Sequence, residues 1–320
     1  MRDDRRDLPR VLGDRLARGG VRVQHLGATL FPEDVQKEVF TSDSVRVTGV
    51  FSPTGTLRPV EGGYRLDGSW RFNTGCRAAD WNVTVAMLEG TDEVLVAMVP
   101  ANELTVLDDW DTSSASGTGS ASTVAEDVFV PAHRVIRFGD ALGSAVPGRL
   151  AAPERTYGLI SLSVTQSAAA CVGMAKGALE LFLERLPGRG ITYTGWSEQS
   201  ESPLTQIQVA RAESRIAAAE ALVGKLARLL QDRADAGELP SVAERATVRA
   251  HGSYAIQLAK EAVDELFEAS GASAIQRSVH IQRFHRDLRA YSMHGLLLLT
   301  TSLEVHGRML VGLDAGTPIL

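Results

Sequence analysis

The chain is poor in the residues that commit a sequence to several common kinds of protein. Two cysteines, Cys76 and Cys171, stand in 320 residues. Neither belongs to a CxxC or a Cys/His spacing, which fits a reducing interior and argues against a structural zinc or any other metal site. Lys and Arg form no run able to neutralise a phosphate track. The formal net charge is -6, and Arg2, Arg5 and Arg6 alternate with Asp3, Asp4 and Asp7 so that they cancel. A nucleic-acid partner is therefore not expected. Long apolar runs are missing as well: Leu296 to Leu299, and even the longer VLVAMV at Val94 to Val99, fall far short of the roughly 20 residues of a membrane span. The first residues, MRDDRRDLPR, offer no apolar core of signal-peptide length, so the expectation is a cytoplasmic protein with no membrane partner. What remains is ordinary globular material, 44% hydrophobic and 22% charged, in a chain long enough for two units.

From Val45 to Ile136 the pattern changes about every ten residues between β-rich runs and Gly, Pro, Asp or Asn breaks: VRVTGVF, GYRLDGSWRF, NVTVAMLEG, EVLVAMV, LTVLDDW and STVAEDVFV. Period-two alternation between turn residues predicts antiparallel strands curling into a small barrel over 45–138. Gly62-Gly63 marks a turn that launches the strand carrying Tyr64 and Leu66, and Asp67-Gly68 a second one before Trp70.

Beyond Pro153 the texture reverses. Tyr157–Leu186, Pro203–Ala236, Val242–Ser270 and Val279–Leu313 are rich in Ala, Leu, Glu, Arg and Gln, with apolar positions three to four apart. That spacing predicts four long helices in an up-and-down bundle over 153–320, broken at Pro187-Gly188, at Gly237 to Pro240 and at Gly271. The fold class is thus α+β, a small antiparallel β-barrel followed by a four-helix bundle. In the first helix Ser161, Ser163, Ser167, Ala168, Ala169, Ala170, Gly173 and Gly177 are small, allowing close approach by a helix of this chain or of another copy. Residues 1–44 hold one amphipathic stretch and a helix start at Pro32, too little for a domain of their own.

Two separated strings carry most of the information: GSWRFNTG at Gly68–Gly75, and Arg286-Asp287 followed by His294 in RDLRAYSMH. With FSPTG at Phe51–Gly55, GTGSASTVAEDVFVPAHRV at Gly117–Val135 and QRFHRDLRAYSMH at Gln282–His294, they make the chain resemble the acyl-CoA dehydrogenase fold from about Phe31 to Leu320. Within that fold it is most similar to the oxygenase components of two-component, reduced-flavin monooxygenases, which hydroxylate phenols, steroid-derived rings and aromatic polyketides.

The resemblance implies reduced flavin, FAD or FMN, made by a separate NAD(P)H-dependent reductase, a small aromatic substrate, and a homo-oligomer, dimer or tetramer. Thr74, where the family more often has Ser, would steady oxygen bound at the flavin's C4a. Gly75 would permit the turn, and Trp70 and Phe72 would form a dry wall. Read from the residues alone, Trp70 and Phe72 equally suit a barrel core, and Thr74 a turn. His294 would be the base for a phenolic proton, its ordinary pKa near 6.5 suiting the task. On a continuous helix it shares a face with Arg286, a cofactor contact, and with Asp287. Gly119 and Ser120 would approach the flavin, and Gln206 and Arg211 the flavin of a neighbouring subunit; a strand turn and a solvated helix face are the alternatives. His25, His251, His280, His285 and His306 have no assigned role.

Absences narrow the chemistry. The stretch YSMHGLLLLTT offers no carboxylate where acyl-CoA dehydrogenases proper carry a glutamate base. No strand-GxGxxG-helix unit exists for NAD(P)H. The family's N-terminal helical domain is represented only by about Leu8 to Val39, so the expectation is a largely missing cap, with three accounts open: a start site chosen too late, a companion chain that restores the cap, or a degenerate protein that has lost oxygenation. A catalytically degenerate partner subunit or non-redox pocket protein is the alternative to a secondary-metabolic hydroxylase.

Overall fold

The computed structural model describes residues 28, 30–42, 44–142 and 157–320; the amphipathic stretch expected before residue 28 lies outside them. The chain forms two compact units. One takes Met1–Trp110 and Thr118–Pro153, the other Asp111–Gly117 and Glu154–Leu320. Seven strands and seven α-helices are described, a mixed α+β composition.

The first unit is built on a single seven-stranded sheet. Its strands are β1 (Val47–Val60), β2 (Gly63–Trp70), β3 (Trp81–Leu88), β4 (Val94–Pro100), β5 (Thr105–Val106), β6 (Thr123–Pro131) and β7 (Val135–Arg137), in spatial order β5-β6-β2-β1-β3-β4-β7. The expected wholly antiparallel arrangement is corrected: β1 and β3 run parallel, with register shifts around Pro53. Proline cannot donate to the ladder, which accounts for the irregularity there. Asp67-Gly68 is likewise no turn. It lies inside β2, where the register against β6 shifts between Leu66 and Gly68, the mark of a bulge. Helices α1 (Glu33–Val39) and α2 (Phe138–Leu142) complete the unit.

Trp70 explains two of the glycines. Gly55 and Gly68 are partners across β1 and β2. A Cβ on Gly55 would come within 2.4 Å of the Trp70 ring, and one on Gly68 within 2.5 Å of Gly55 Cα. The indole lies over bare backbone, fully buried, and donates from Nε1 to the Val85 carbonyl at 2.8 Å. Leu57, Leu66, Ala86, Ala97 and Val99 close the core around it.

The second unit is helical: α3 (Leu159–Arg185), α4 (Pro203–Asp235), α5 (Val242–Ala269), α6 (Ile281–Tyr291) and α7 (Leu299–Leu310). Proline opens α4 at its first turn, where its missing N–H is harmless. Ser241 and Glu244 form a reciprocal capping box at the start of α5. Helix α5 packs against α3, α4, α6 and α7. The fourth long helix expected over 279–313 is two, because α6 stops at Tyr291 and the chain turns through Ser292–Leu298 before α7 begins. Among the described residues no helix is long and apolar enough to cross a membrane.

Candidate functional site

The expected site residues are divided between the two units, and only some of them are brought together. In the sheet unit, the chain leaves β2 and enters a turn in which two residues flanking Thr74 are left-handed, Phe72 at φ 63 and Gly75 at φ 78. Glycine adopts that conformation freely, whereas phenylalanine does so at a cost of about 1–3 kcal/mol. Backbone bonds hold the turn: the Asn73 amide donates to Ala121 O at 3.1 Å and the Gly75 amide to Thr118 O at 3.3 Å. Asn73 Nδ2 also donates to Thr123 Oγ1 at 3.0 Å. The result is an exposed Thr74 hydroxyl, 2.8 Å from that of buried Ser120, which lies 2.7 Å from that of Thr118.

The same turn presents the Phe72 ring, 62% exposed, with Trp110 edge-on at 6.0 Å and the Arg71 guanidinium 5.3 Å from its centroid. Gly119, at φ 53, has no atom within 4 Å of where a Cβ would stand. Asp109 braces this stretch, accepting from the Ser122 amide at 2.9 Å and hydroxyl at 2.5 Å. Those bonds hold its carboxyl below the usual range. The expected role of Trp70 in a flavin wall is corrected, since its ring is enclosed in the sheet core and only Phe72 turns outward. Thr118 carries a third hydroxyl of the cluster and was not expected there, because an isolated loop hydroxyl leaves no periodic signal.

In the helical unit, His294 sits in the turn after α6, so the face shared with Arg286 and Asp287 on a continuous helix does not exist. Its Nδ1 accepts from the Leu296 amide at 3.2 Å, and its carbonyl accepts from Leu297 and Leu298 at 2.8 and 2.9 Å. The residue keeps exposed area yet is crowded by protein, and this desolvation lowers its pKa from the ordinary 6.5. Neutral His294 therefore carries its proton on Nε2. Taking a proton at Nε2, as a base would, requires the opposite tautomer, with the proton on Nδ1.

The remaining candidates are engaged otherwise. Arg286 donates from Nε to Gln282 Oε1 at 2.7 Å and from its guanidinium to Ser113 O. Asp287 Oδ1 accepts from the Ala115 amide at 2.7 Å. Arg211 pairs with Glu265 at 3.0 Å, and Gln206 lines a surface hollow of about 380 Å³ with Leu183, Leu186, Thr205 and Val209. Among the described residues no group of three or more His, Cys, Asp or Glu could hold a metal ion.

Comparison with known proteins gives this arrangement a family. Residues 165–297 match the acyl-CoA dehydrogenase C-terminal domain. The chain is 31% identical over 312 residues to a pigment production hydroxylase of a Rhodococcus species, covering 94% of this chain and 80% of that protein. It is 32% identical over 300 residues to the oxygenase component of an FADH2-dependent resorcinol hydroxylase of a Rhizobium species, covering 89% and 73%. Among solved structures, XiaF from a Streptomyces species, in complex with FADH2 and glycerol, superposes with a TM-score of 0.84 at 32% identity, covering 92% of this chain and 76% of that one. The chain belongs to the family of flavin-dependent oxygenase components built on the acyl-CoA dehydrogenase fold.

The residues present suit such a cofactor. An isoalloxazine has flat apolar faces and an edge of carbonyl and N–H groups. Phe72 offers an exposed aromatic face, Thr74 backed by Ser120 an exposed hydroxyl, and Gly119 unfilled space.

Proposed function

We propose that this protein is the oxygenase component of a two-component monooxygenase that hydroxylates a phenolic, aromatic or polycyclic substrate. Reduced flavin, FAD or FMN from a separate NAD(P)H-dependent reductase, supplies the two electrons with which O2 gives one oxygen atom to the ring and the other to water. The observation that carries the reading is an imidazole standing in a stretch without carboxylates: Leu288 to Leu303 contains no Asp or Glu, and His294 occupies its central turn. A thioester α-proton needs a desolvated carboxylate, whereas a phenol needs only a group that steadies its oxygen as the proton leaves.

Thr74 and Ser120 hold the polar edge of the cofactor, one hydroxyl orienting the other, and Phe72 covers a face and keeps water away. Gly119 leaves room for close approach. His294 is the base for the phenolic proton, and in the resting protein its Nδ1 is held by the Leu296 amide. For the ring to accept a proton at Nε2, its own proton must sit on Nδ1, so the Leu296 bond has to open. Low pKa keeps the imidazole uncharged at neutral pH. Exposed Leu204 and Ile207 on α4 and Leu310 on α7 support a homo-oligomer, dimer or tetramer, and the protein is read as cytoplasmic.

The test is anaerobic titration with reduced FAD and reduced FMN, followed by air and a phenol probe such as resorcinol or 4-hydroxyphenylacetate. Saturable binding of one flavin and a ring-hydroxylated product are expected. Failure to bind either reduced flavin would overturn the reading.

A further inference from the structure

Arg286 and Asp287 stand side by side on α6, and both reach the backbone of one short segment of the same unit, Asp111–Gly117. Asp287 Oδ1 takes the Ala115 amide at 2.7 Å, and Arg286, steadied by Gln282, donates to the Ser113 carbonyl. Within and just past the segment, a short 3-10 turn over Ser116–Thr118 and two side-chain bonds add to these anchors. Thr112 Oγ1 donates to Ser114 O at 2.8 Å and Ser116 Oγ to Thr112 O at 3.2 Å. Ala115 is held at φ 53, a conformation that persists only where surrounding bonds impose it. The carboxylate bond is charge-assisted and short, the strongest kind available to a backbone amide.

The segment matters because it leads straight into the hydroxyl cluster. Directly after Gly117 come Thr118, Gly119 and Ser120. Thr118 O accepts the Gly75 amide, and the Thr118 hydroxyl bonds Ser120, which bonds Thr74. We infer that Asp287, with Arg286, is a positioning residue: it anchors the Asp111–Gly117 segment and, along the chain, sets where the Ser120 and Thr74 hydroxyls stand. This rests on the proposal that reduced flavin is received at Thr74 and Ser120.

The experiment compares reduced-flavin affinity, by anaerobic titration with whichever of FAD and FMN the wild-type protein binds, across five variants of the full chain. Asp287→Ala removes the acceptor and should raise Kd about tenfold or more. Asp287→Asn keeps an oxygen for the Ala115 amide and should bind within about threefold of wild type, a rescue that loss of folding would not show. Arg286→Gln, at an exposed site, should weaken binding in the same direction by less, and serves if Asp287→Ala does not fold. Thr74→Ala and Ser120→Ala test the underlying reading. If these two bind as wild type does, the flavin site itself is misassigned. If they weaken binding while Asp287→Ala and Arg286→Gln do not, or if Asp287→Asn is as impaired as Asp287→Ala, the positioning role is overturned and the site stands.

Discussion

The sheet unit and the helical unit both enclose large aliphatic side chains, but they differ in how much alanine lies between them. Around the sheet a few large side chains do the filling, with Leu57, Leu66, Trp70 and Met98 wholly enclosed. Between the helices Leu226, Leu230, Ile256, Leu266, Ile281 and Leu288 are enclosed too, but alanine is far more frequent among the enclosed positions: Ala168, Ala175 and Ala178 on α3, Ala212 and Ala219 on α4, Ala246, Ala250, Ala255, Ala259 and Ala262 on α5. Small residues let helix axes approach closely, so the second interior is limited by the space between backbones and the first by the volume of its side chains. The difference teaches where each unit is vulnerable: the sheet to losing atoms, the helices to gaining them. It extends to the candidate residues of each unit. Thr74 is held by strand and turn backbone, and His294 by the short turn between two helices.

Substitutions can break or sharpen this contrast. The largest effect is expected in the helical unit's chemistry: His294→Ala should lower the hydroxylation rate by about 10² to 10⁴ while leaving the melting temperature nearly unchanged. Next comes the sheet: Trp70→Ala should cost about 3–5 kcal/mol in urea unfolding, because it empties the core and removes the bond to Val85. The converse in the helices, Ala259→Leu, should cost about 1–3 kcal/mol through overpacking. A Cβ at Gly252 would stand 2.5 Å from Val164 Cγ1, so Gly252→Ala should also destabilise. If Ala259→Leu is neutral and Trp70→Ala mild, the contrast between the two interiors is wrong. The smallest effect is on pH dependence. Burial lowers the His294 pKa, so charging it requires a pH below the ordinary 6.5, and the acid limb of the rate profile should lie below that value. An acid limb at or above 6.5 would contradict the placement of His294.

Much of the architecture was legible because it rests on local rules. Helices expected over 157–186, 203–236 and 242–270 appear as Leu159–Arg185, Pro203–Asp235 and Val242–Ala269, since Pro203, the Ser241–Glu244 box and the glycines beyond their ends act within a turn or two. The break after Tyr291 was not, because Leu296–Leu299 continues the apolar run and one glycine inside a helical pattern is an ambiguous signal. The parallel pairing of β1 with β3 depends on register between distant stretches, which no local pattern encodes. For the site, GSWRFNTG and the GTGS string pointed to hydroxyls that the fold joins through Thr74 and Ser120. Trp70 misled because a conspicuous aromatic fits a core as well as a ligand. Asp287 was noticed for its spacing to His294, while its partner, Ala115, lies 172 residues away in sequence.

One topological detail constrains how the gene can be cut. Asp111–Gly117 is grouped with the helices although strands of the sheet precede and follow it. A fragment starting at Glu154 would lack those seven residues, and one ending at Pro153 would carry them without α6 to hold them. Chimeras that exchange one half with a relative should therefore swap this excursion together with the helices, even though it is encoded among the strands.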